Sequence, residues 1–141
     1  MKRTLIIVGV ISAMFGLDYV RNSFNVFAAD VAGYTDLSGA DAVEMIKNEK
    51  DILIIDVRSQ SEFTGELGHL EGAKLIPLNE LSARFGEIAA YKEKNVLVVC
   101  RSGVRSRQAS SALVNNGFAH VYNIAPGMAG LNQIPGAPIE R

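Results

Sequence analysis

Two short apolar runs constrain the fold of this chain more than any other feature of its sequence. The first spans Ile52–Val57, with Asp56 near its end, and the second spans Val96–Val99. Apolar runs of this length, without alternating polar residues, are typical of strands that are buried on both faces of a parallel sheet. A parallel sheet needs crossover segments between its strands, so helices are expected between the runs.

The segments around these runs have the spacing and capping residues of short helices. Ser38 is a candidate cap for a helix within Leu37–Asn48, and Gly117 is a candidate C-terminal stop for the helix Ser106–Asn116. The remaining predicted elements are a short helix from Ser61–Phe63, a strand Ala73–Ile76, a helix capped by Asn79 through Phe85, and a strand His120–Asn123. This alternation predicts an α/β fold, with a parallel sheet flanked by helices on both faces.

The only cysteine of the chain, Cys100, follows the second apolar run directly. Ligands of open parallel sheets bind at the carboxyl ends of the strands, which is where Cys100 is expected. A single cysteine excludes a disulfide within the chain and a cysteine-rich zinc site. His69 and His120 have no carboxylates at metal-ligand spacing, so no metal and no cofactor are predicted.

A cysteine reacts as the thiolate, and the residues after Cys100 are suited to stabilising that anion. The loop can direct backbone N–H groups inward, and the predicted helix near Ser106 adds the positive end of its dipole. Gly103 supplies the backbone freedom of a tight turn. The pattern predicts Cys100 as the catalytic nucleophile and Ser106 as structural support. The predicted substrate-binding residues in the loop are Arg101, Ser102, Gly103, Val104 and Arg105.

Two further site residues follow the first apolar run, at the neighbouring strand end. Asp56 is expected to support the loop through hydrogen bonds, and Arg58 is expected to contact the substrate. Arg105, nearest the predicted helix start, is expected to contribute most to binding an anion.

Charge narrows the class of partner. The whole chain has a net charge of −1, which offers no general attraction for nucleic acid. Arg101, Arg105 and Arg107 nevertheless lie within seven positions of Cys100. This local excess of positive charge favours a small anionic substrate. The length allows one domain, and we expect a monomer.

The first 28 residues have the pattern of a secretory signal peptide. Lys2 and Arg3 precede an apolar stretch, Leu5–Leu17, which is short for a membrane-spanning helix. Val26 and Ala28 suit a cleavage site, but the stretch between Asp18 and Ala28 is long for one. An uncleaved anchor with membrane contact through residues 4–27 is the alternative, and a buried N-terminal helix is a third. We predict export, to the periplasm or to a membrane-anchored position outside the cytoplasm.

Beyond the loop, the sequence from roughly Tyr34 to Leu131 resembles the rhodanese family. The resembling fragments, in order, are Asp56-Val57-Arg58, Glu62-Phe63, Gly68-His69-Leu70, Gly72-Ala73, Ile76-Pro77, Cys100 to Ser106, Gly117-Phe118, Val121-Tyr122-Asn123 and Gly127-Met128. The resemblance implies a small five-stranded α/β domain over residues 34–136. Family members often carry glycine and tryptophan where this chain has Pro126 and Leu131.

The resemblance implies a sulfurtransferase. The Cys100 thiolate would take the outer sulfur of thiosulfate or a similar anionic donor and form a persulfide. Cyanide, an external thiol or a reducing protein would then accept that sulfur. One alternative is a persulfide carrier or redox-sensing module without turnover. Another is a phosphatase or arsenate reductase, but those enzymes place arginine six residues after cysteine. This chain has Arg105 at the fifth position and Ser106 at the sixth.

Export can be measured with a reporter fused after Ala29. We expect the reporter outside the cytoplasm, because Lys2 and Arg3 precede an apolar run of signal-peptide length. A Lys2→Glu, Arg3→Glu variant removes the positive start and should reduce export. Cytoplasmic accumulation of the unaltered fusion would contradict the prediction.

Overall fold

A sheet of five parallel strands forms the centre of the computed structural model, which describes residues 33–141. The strands in chain order are β1 (Thr35–Leu37), β2 (Leu53–Asp56), β3 (His69–Leu70), β4 (Lys74–Leu75), β5 (Asn95–Val99), β6 (His120–Ile124) and β7 (Ile139–Glu140). The order across the main sheet is β1-β6-β5-β2-β4, while β3 and β7 form a separate antiparallel pair. The predicted parallel sheet is confirmed, and β5 lies at its centre.

Helices cross over between the strands, as the alternation predicted. They are α1 (Gly39–Asn48), α2 (Gln60–Phe63), α3 (Phe85–Ile88), α4 (Val104–Asn115) and α5 (Gly127–Leu131). The Ser38 hydroxyl accepts a hydrogen bond from Asp41 N–H at 3.1 Å, so the predicted cap of α1 is confirmed.

The apolar run of β5 contributes to a hydrophobic core on each face of the sheet. Val96 and Val98 pack on the same side as Ala109 and Leu113 of α4. Leu97 packs on the other side, in a cluster to which α1 and α5 also contribute. Every residue of β5 is buried, which is why its sequence shows no polar alternation. Helices therefore cover both faces, as predicted.

The predicted helix from Asn79 to Phe85 is wrong. Residues Leu78–Glu80 and Ser82–Arg84 form two 3₁₀ turns, and the α-helix begins only at Phe85. Pro77 precedes the first turn with φ −52° and ψ 144°, and its carbonyl accepts a hydrogen bond from Glu80 N–H at 2.8 Å. The turn thus starts at Pro77, and Asn79 lies within it, where its side chain cannot cap.

The start of α4 also differs from the prediction. The helix begins at Val104, two residues before Ser106, because Gly103 makes the turn out of β5 with φ 93°. Arg105 consequently lies in the first helical turn.

The predicted signal peptide or anchor, residues 1–28, lies outside the described residues. Within residues 33–141, no helix is both long enough and apolar enough to cross a membrane.

A buried ion pair closes the carboxyl end of β2. The Arg58 side chain is 1% exposed and that of Asp56 is 0% exposed. Arg58 Nε donates to Asp56 Oδ1 at 2.9 Å, and Nη2 donates to Oδ2 at 2.7 Å. Nη2 also donates to the Gly68 carbonyl at 2.7 Å, which ties β2 to the segment before β3.

Asp56→Asn should lower the free energy of unfolding by about 3 kcal/mol, because it leaves the buried Arg58 charge without a counterion. Urea denaturation measures the change. Asp51→Asn is the matched control, since it removes an exposed pair with Lys94 at 2.9 Å and should leave stability nearly unchanged. Equal stability of the Asp56 variant and the unaltered protein would contradict this role.

Candidate active site

The Cys100 sulfur lies at the base of the loop that joins β5 to α4. The residue is 1% exposed. Its Sγ accepts a hydrogen bond from Gly103 N–H at 3.1 Å, and the Ser106 hydroxyl oxygen lies 3.3 Å from Sγ. The loop therefore wraps around the sulfur and directs hydrogen-bond donors toward it, as expected for an anion nest.

These contacts change the acidity of the thiol. Burial raises the pKa of Cys100, but hydrogen bonds from the Ser106 hydroxyl and from the backbone N–H groups of Ser106, Ser102 and Gly103 lower it. The net effect is a pKa below the ordinary thiol value. The loop thus favours the thiolate, which is the nucleophilic form.

Close backbone contacts hold the loop in this shape. A Cβ atom at Gly103 would collide with the Ala125 carbonyl oxygen, and one at Gly127 would collide with the Arg101 carbonyl. Both glycines also have positive φ, 93° and 61°. Met128 N–H donates to the Cys100 carbonyl at 2.8 Å. The first turn of α5 therefore packs directly under the loop.

The two departures from the family pattern lie in this supporting segment. Pro126 immediately precedes α5 with φ −76°, and Leu131 ends the helix with 0% exposure. Leu131 thus fills a core position on the α1 side of the sheet.

The predicted loop residues are brought together around Cys100, with different exposure. Gly103 and Ser106 are buried, whereas Arg101, Ser102 and Val104 are exposed. Val104 reaches 64% exposure. Arg101 has no ion-pair partner within residues 33–141, and its side chain is exposed.

Arg105 is paired with a carboxylate that the sequence reasoning did not include in the site. Its Nη1 donates to Glu62 Oε2 at 2.8 Å, and its Nη2 donates to Glu62 Oε1 at 2.7 Å. The side chains are 37% and 29% exposed. Glu62 compensates the charge of Arg105, which the sequence reasoning treated as free for an anion.

Glu62 is itself held at the start of α2. Ser59 N–H donates to Glu62 Oε2 at 3.0 Å, and Glu62 N–H donates to the Ser59 hydroxyl at 3.3 Å. This reciprocal arrangement is a capping box. The spacing Ser59-x-x-Glu62 was visible in the sequence and could have identified the pair as fixed, although not its contact with Arg105.

Arg58 has a structural partner that was not predicted. The guanidinium binds Asp56 and the Gly68 carbonyl, and only 1% of the side chain is exposed. Arg58 therefore forms a structural pair with Asp56. It also lines an open depression beside Arg105, so its contact with a substrate stays a prediction.

Residues 33–141 contain no group of three or more side chains placed to hold a metal ion. The donors around Cys100 are N–H and hydroxyl groups, which bind anions rather than cations.

Comparison with known proteins identifies the family. The sequence pattern of the Rhodanese-like domain family matches residues 38–133, which are 96 of the 141 residues. The chain belongs to the rhodanese-like domain family. The expected family and the expected fold class are therefore confirmed.

Solved rhodanese-like structures share this fold. A rhodanese-related protein from Thermoplasma volcanium has a TM-score of 0.64 at 26% identity, over 76% of this chain and 98% of that chain. A rhodanese with anions from E. coli has a TM-score of 0.50 at 34% identity, over 56% of this chain and 89% of that chain.

A curated relative that is named as a hydroxylase shares the rhodanese-like region with this chain. A tRNA uridine(34) hydroxylase of Yersinia pestis (strain Pestoides F) is 32% identical over 93 residues, which are 63% of this chain. The chain spans only 26% of the length of that relative.

Ser106→Ala should raise the apparent pKa of Cys100, because it removes the hydroxyl that stabilises the thiolate. The rate of alkylation by iodoacetamide as a function of pH reports this pKa. At a fixed pH between the two pKa values, the variant should react more slowly. Ser110→Ala is the control. It also removes a buried hydroxyl from α4, but that hydroxyl donates to the Ser106 carbonyl at 2.7 Å rather than to the Cys100 sulfur. Identical pH profiles for Ser106→Ala and the unaltered protein would contradict this assignment.

Proposed function

We propose that this protein is a sulfurtransferase that carries sulfane sulfur as a persulfide on Cys100. One observation carries the proposal: a buried sulfur is surrounded by backbone N–H groups and a hydroxyl that lower its pKa. A thiolate of this kind is a ready nucleophile without a separate general base. The same N–H groups are placed to stabilise the negative charge of a persulfide.

The proposed reaction has two displacement steps. The Cys100 thiolate attacks the outer sulfur of a donor such as thiosulfate, an S–S bond forms to Cys100, and the donor's S–S bond breaks to release sulfite. An acceptor then attacks the outer persulfide sulfur. Cyanide leaves as thiocyanate, and the Cys100 thiolate is restored. No electrons are gained or lost overall, so the cycle needs no redox cofactor. The alternating steps should give ping-pong kinetics.

Other functions have less support from the site. A phosphatase or arsenate reductase loop needs an arginine directed at its oxyanion, whereas Arg105 binds Glu62 through both terminal nitrogens. The tRNA hydroxylase relative is nearly four times longer than the shared region, and its named activity belongs to that whole protein. A carrier without turnover uses the same Cys100 chemistry, so only kinetics distinguish it.

The proposal includes a setting outside the cytoplasm, which depends on the pattern of residues 1–28. In an oxidising compartment, Cys100 has no second cysteine in the chain to reduce it. An external thiol or a reducing protein is therefore the natural sulfur acceptor and also the means of keeping the thiol reduced.

Incubation with thiosulfate should add one sulfur atom to Cys100, which intact-protein mass spectrometry measures directly. Cyanide should then remove that sulfur and produce thiocyanate over many turnovers. Cys100→Ser should abolish both, because a serine hydroxyl stays protonated in the same loop. Circular dichroism is the control for folding.

Two results would contradict parts of the proposal. Sulfur transfer retained by Cys100→Ser would exclude Cys100 as the carrier. A single equivalent of thiocyanate, without turnover, would favour the carrier module over the enzyme.

A further inference from the structure

Arg105 does not present a free positive charge to a substrate. The Glu62 carboxylate binds both terminal nitrogens of Arg105, and Ser59 holds that carboxylate from the other side through its N–H and hydroxyl groups, at 3.0 and 3.1 Å. The hydrogen bond to Arg105 is the main reason that the pKa of Glu62 falls to about 2. Glu62 is therefore ionised at any pH near neutrality, and the pair has no net charge.

This compensation matters most for a doubly charged donor. Coulomb energy scales with the charge of the ligand, so a fixed carboxylate repels a dianion twice as strongly as a monoanion at the same distance. Arg105 directly precedes Ser106, whose hydroxyl oxygen lies 3.3 Å from the Cys100 sulfur. The hydrogen bond with Glu62 is the main cause of the raised pKa of Arg105, and the charge of Cys100 adds to it. The compensating carboxylate thus acts on the region in which the donor must react. Arg101 and Arg107 are both exposed and have no ion-pair partner within residues 33–141, so they remain uncompensated.

An apolar surface lies next to the same arginine. An open depression of about 390 Å³ is lined by Arg105 and by Val57, Pro77 and Leu78, with Arg58, Ser59 and Asn79 as its other polar residues. This volume is within the range of small-molecule sites. Thiosulfate has no carbon and could gain nothing from such a surface, whereas a donor with an organic substituent could bury it there.

We propose that Glu62 and this depression together select monoanionic sulfur donors with an apolar substituent over small dianions. The inference rests on the proposed sulfurtransferase function and names its donor class. An organic thiosulfonate, R–SO₂–S⁻, is a suitable probe of this class. The Cys100 thiolate attacks its outer sulfur, the persulfide forms, and the sulfinate R–SO₂⁻ leaves. One S–S bond forms and one breaks, and total charge is conserved.

Three donors distinguish the effect of the donor's charge from the effect of its apolar substituent. Thiosulfate is a dianion without a substituent, methanethiosulfonate is a monoanion with a small one, and benzenethiosulfonate is a monoanion with an apolar ring. Their intrinsic reactivities differ, but these differences cancel when the ratio of two donors is compared between protein variants. The quantity measured is kcat/KM for persulfide formation, with cyanide as the acceptor.

Glu62→Gln should raise the ratio of thiosulfate to methanethiosulfonate about threefold, because the second charge of the dianion is no longer repelled by the carboxylate. Glutamine also serves at this position of a capping box, so α2 should remain folded. Glu93→Gln is the matched control. It removes the same charge from an exposed residue just before β5, at the opposite end of the strand from Cys100, and should leave the ratio unchanged.

Leu78→Ala tests the depression. It should lower the ratio of benzenethiosulfonate to methanethiosulfonate at least about threefold, because less apolar surface is left for the ring. The unaltered protein provides a second test of the depression. Its KM for benzenethiosulfonate should be lower than its KM for methanethiosulfonate.

The outcomes separate this inference from the function on which it rests. Persulfide formation with an unchanged charge ratio in Glu62→Gln would overturn the inference alone. Equal KM values for the two thiosulfonates, with an unchanged ratio in Leu78→Ala, would also overturn it alone. Failure of all three donors to load Cys100 would overturn the proposed function and the inference with it.

Discussion

The hydrogen bond from Gly103 N–H to the Cys100 sulfur is the contact around which the site is organised. It requires the chain to reverse within three residues of a buried strand, which Gly103 permits through its positive φ. The same turn places α4 so that the hydroxyl of Ser106, in its first turn, lies 3.3 Å from the sulfur. Gly127 and Met128 then support the loop from below, through a close backbone approach and a hydrogen bond to the Cys100 carbonyl. The end of strand β5 and helices α4 and α5 thus meet at Cys100.

The neighbouring strand supplies the second half of the site. At the end of β2, the buried pair of Asp56 and Arg58 connects the strand to Gly68. A few residues later, Glu62 connects α2 to α4 through Arg105. The first pair is buried, whereas the second is partly exposed. Under the proposed function, only the second pair would strongly influence the charge that a donor meets.

Much of this arrangement was predictable from the sequence, and the exceptions have physical causes. The apolar runs predicted β2 and β5 because strands buried on both faces lack polar alternation. The cysteine loop was predicted from residue types that stabilise a thiolate. The pairing of Arg105 with Glu62 was not, since 43 residues separate them and only the fold brings them together. The burial of Arg58 was missed for a different reason. A charged side chain is normally exposed, and the sequence does not show that Asp56, two residues away, binds Arg58 inside the protein.

Under the proposed function, the position of Cys100 on the central strand would also limit how sulfur can leave the protein. β5 is hydrogen-bonded to β2 on one side and to β6 on the other, and the thiol sits at its end with 1% exposure. A persulfide extends the side chain by a single S–S bond of about 2 Å. The transferable sulfur therefore stays within about 2 Å of the Cys100 sulfur, unlike a group that is carried on a long, flexible prosthetic arm. An acceptor must therefore be a small molecule, or must present its nucleophile on a narrow, protruding segment that can enter the loop. A thiol that is level with a broad protein surface would not contact the sulfur.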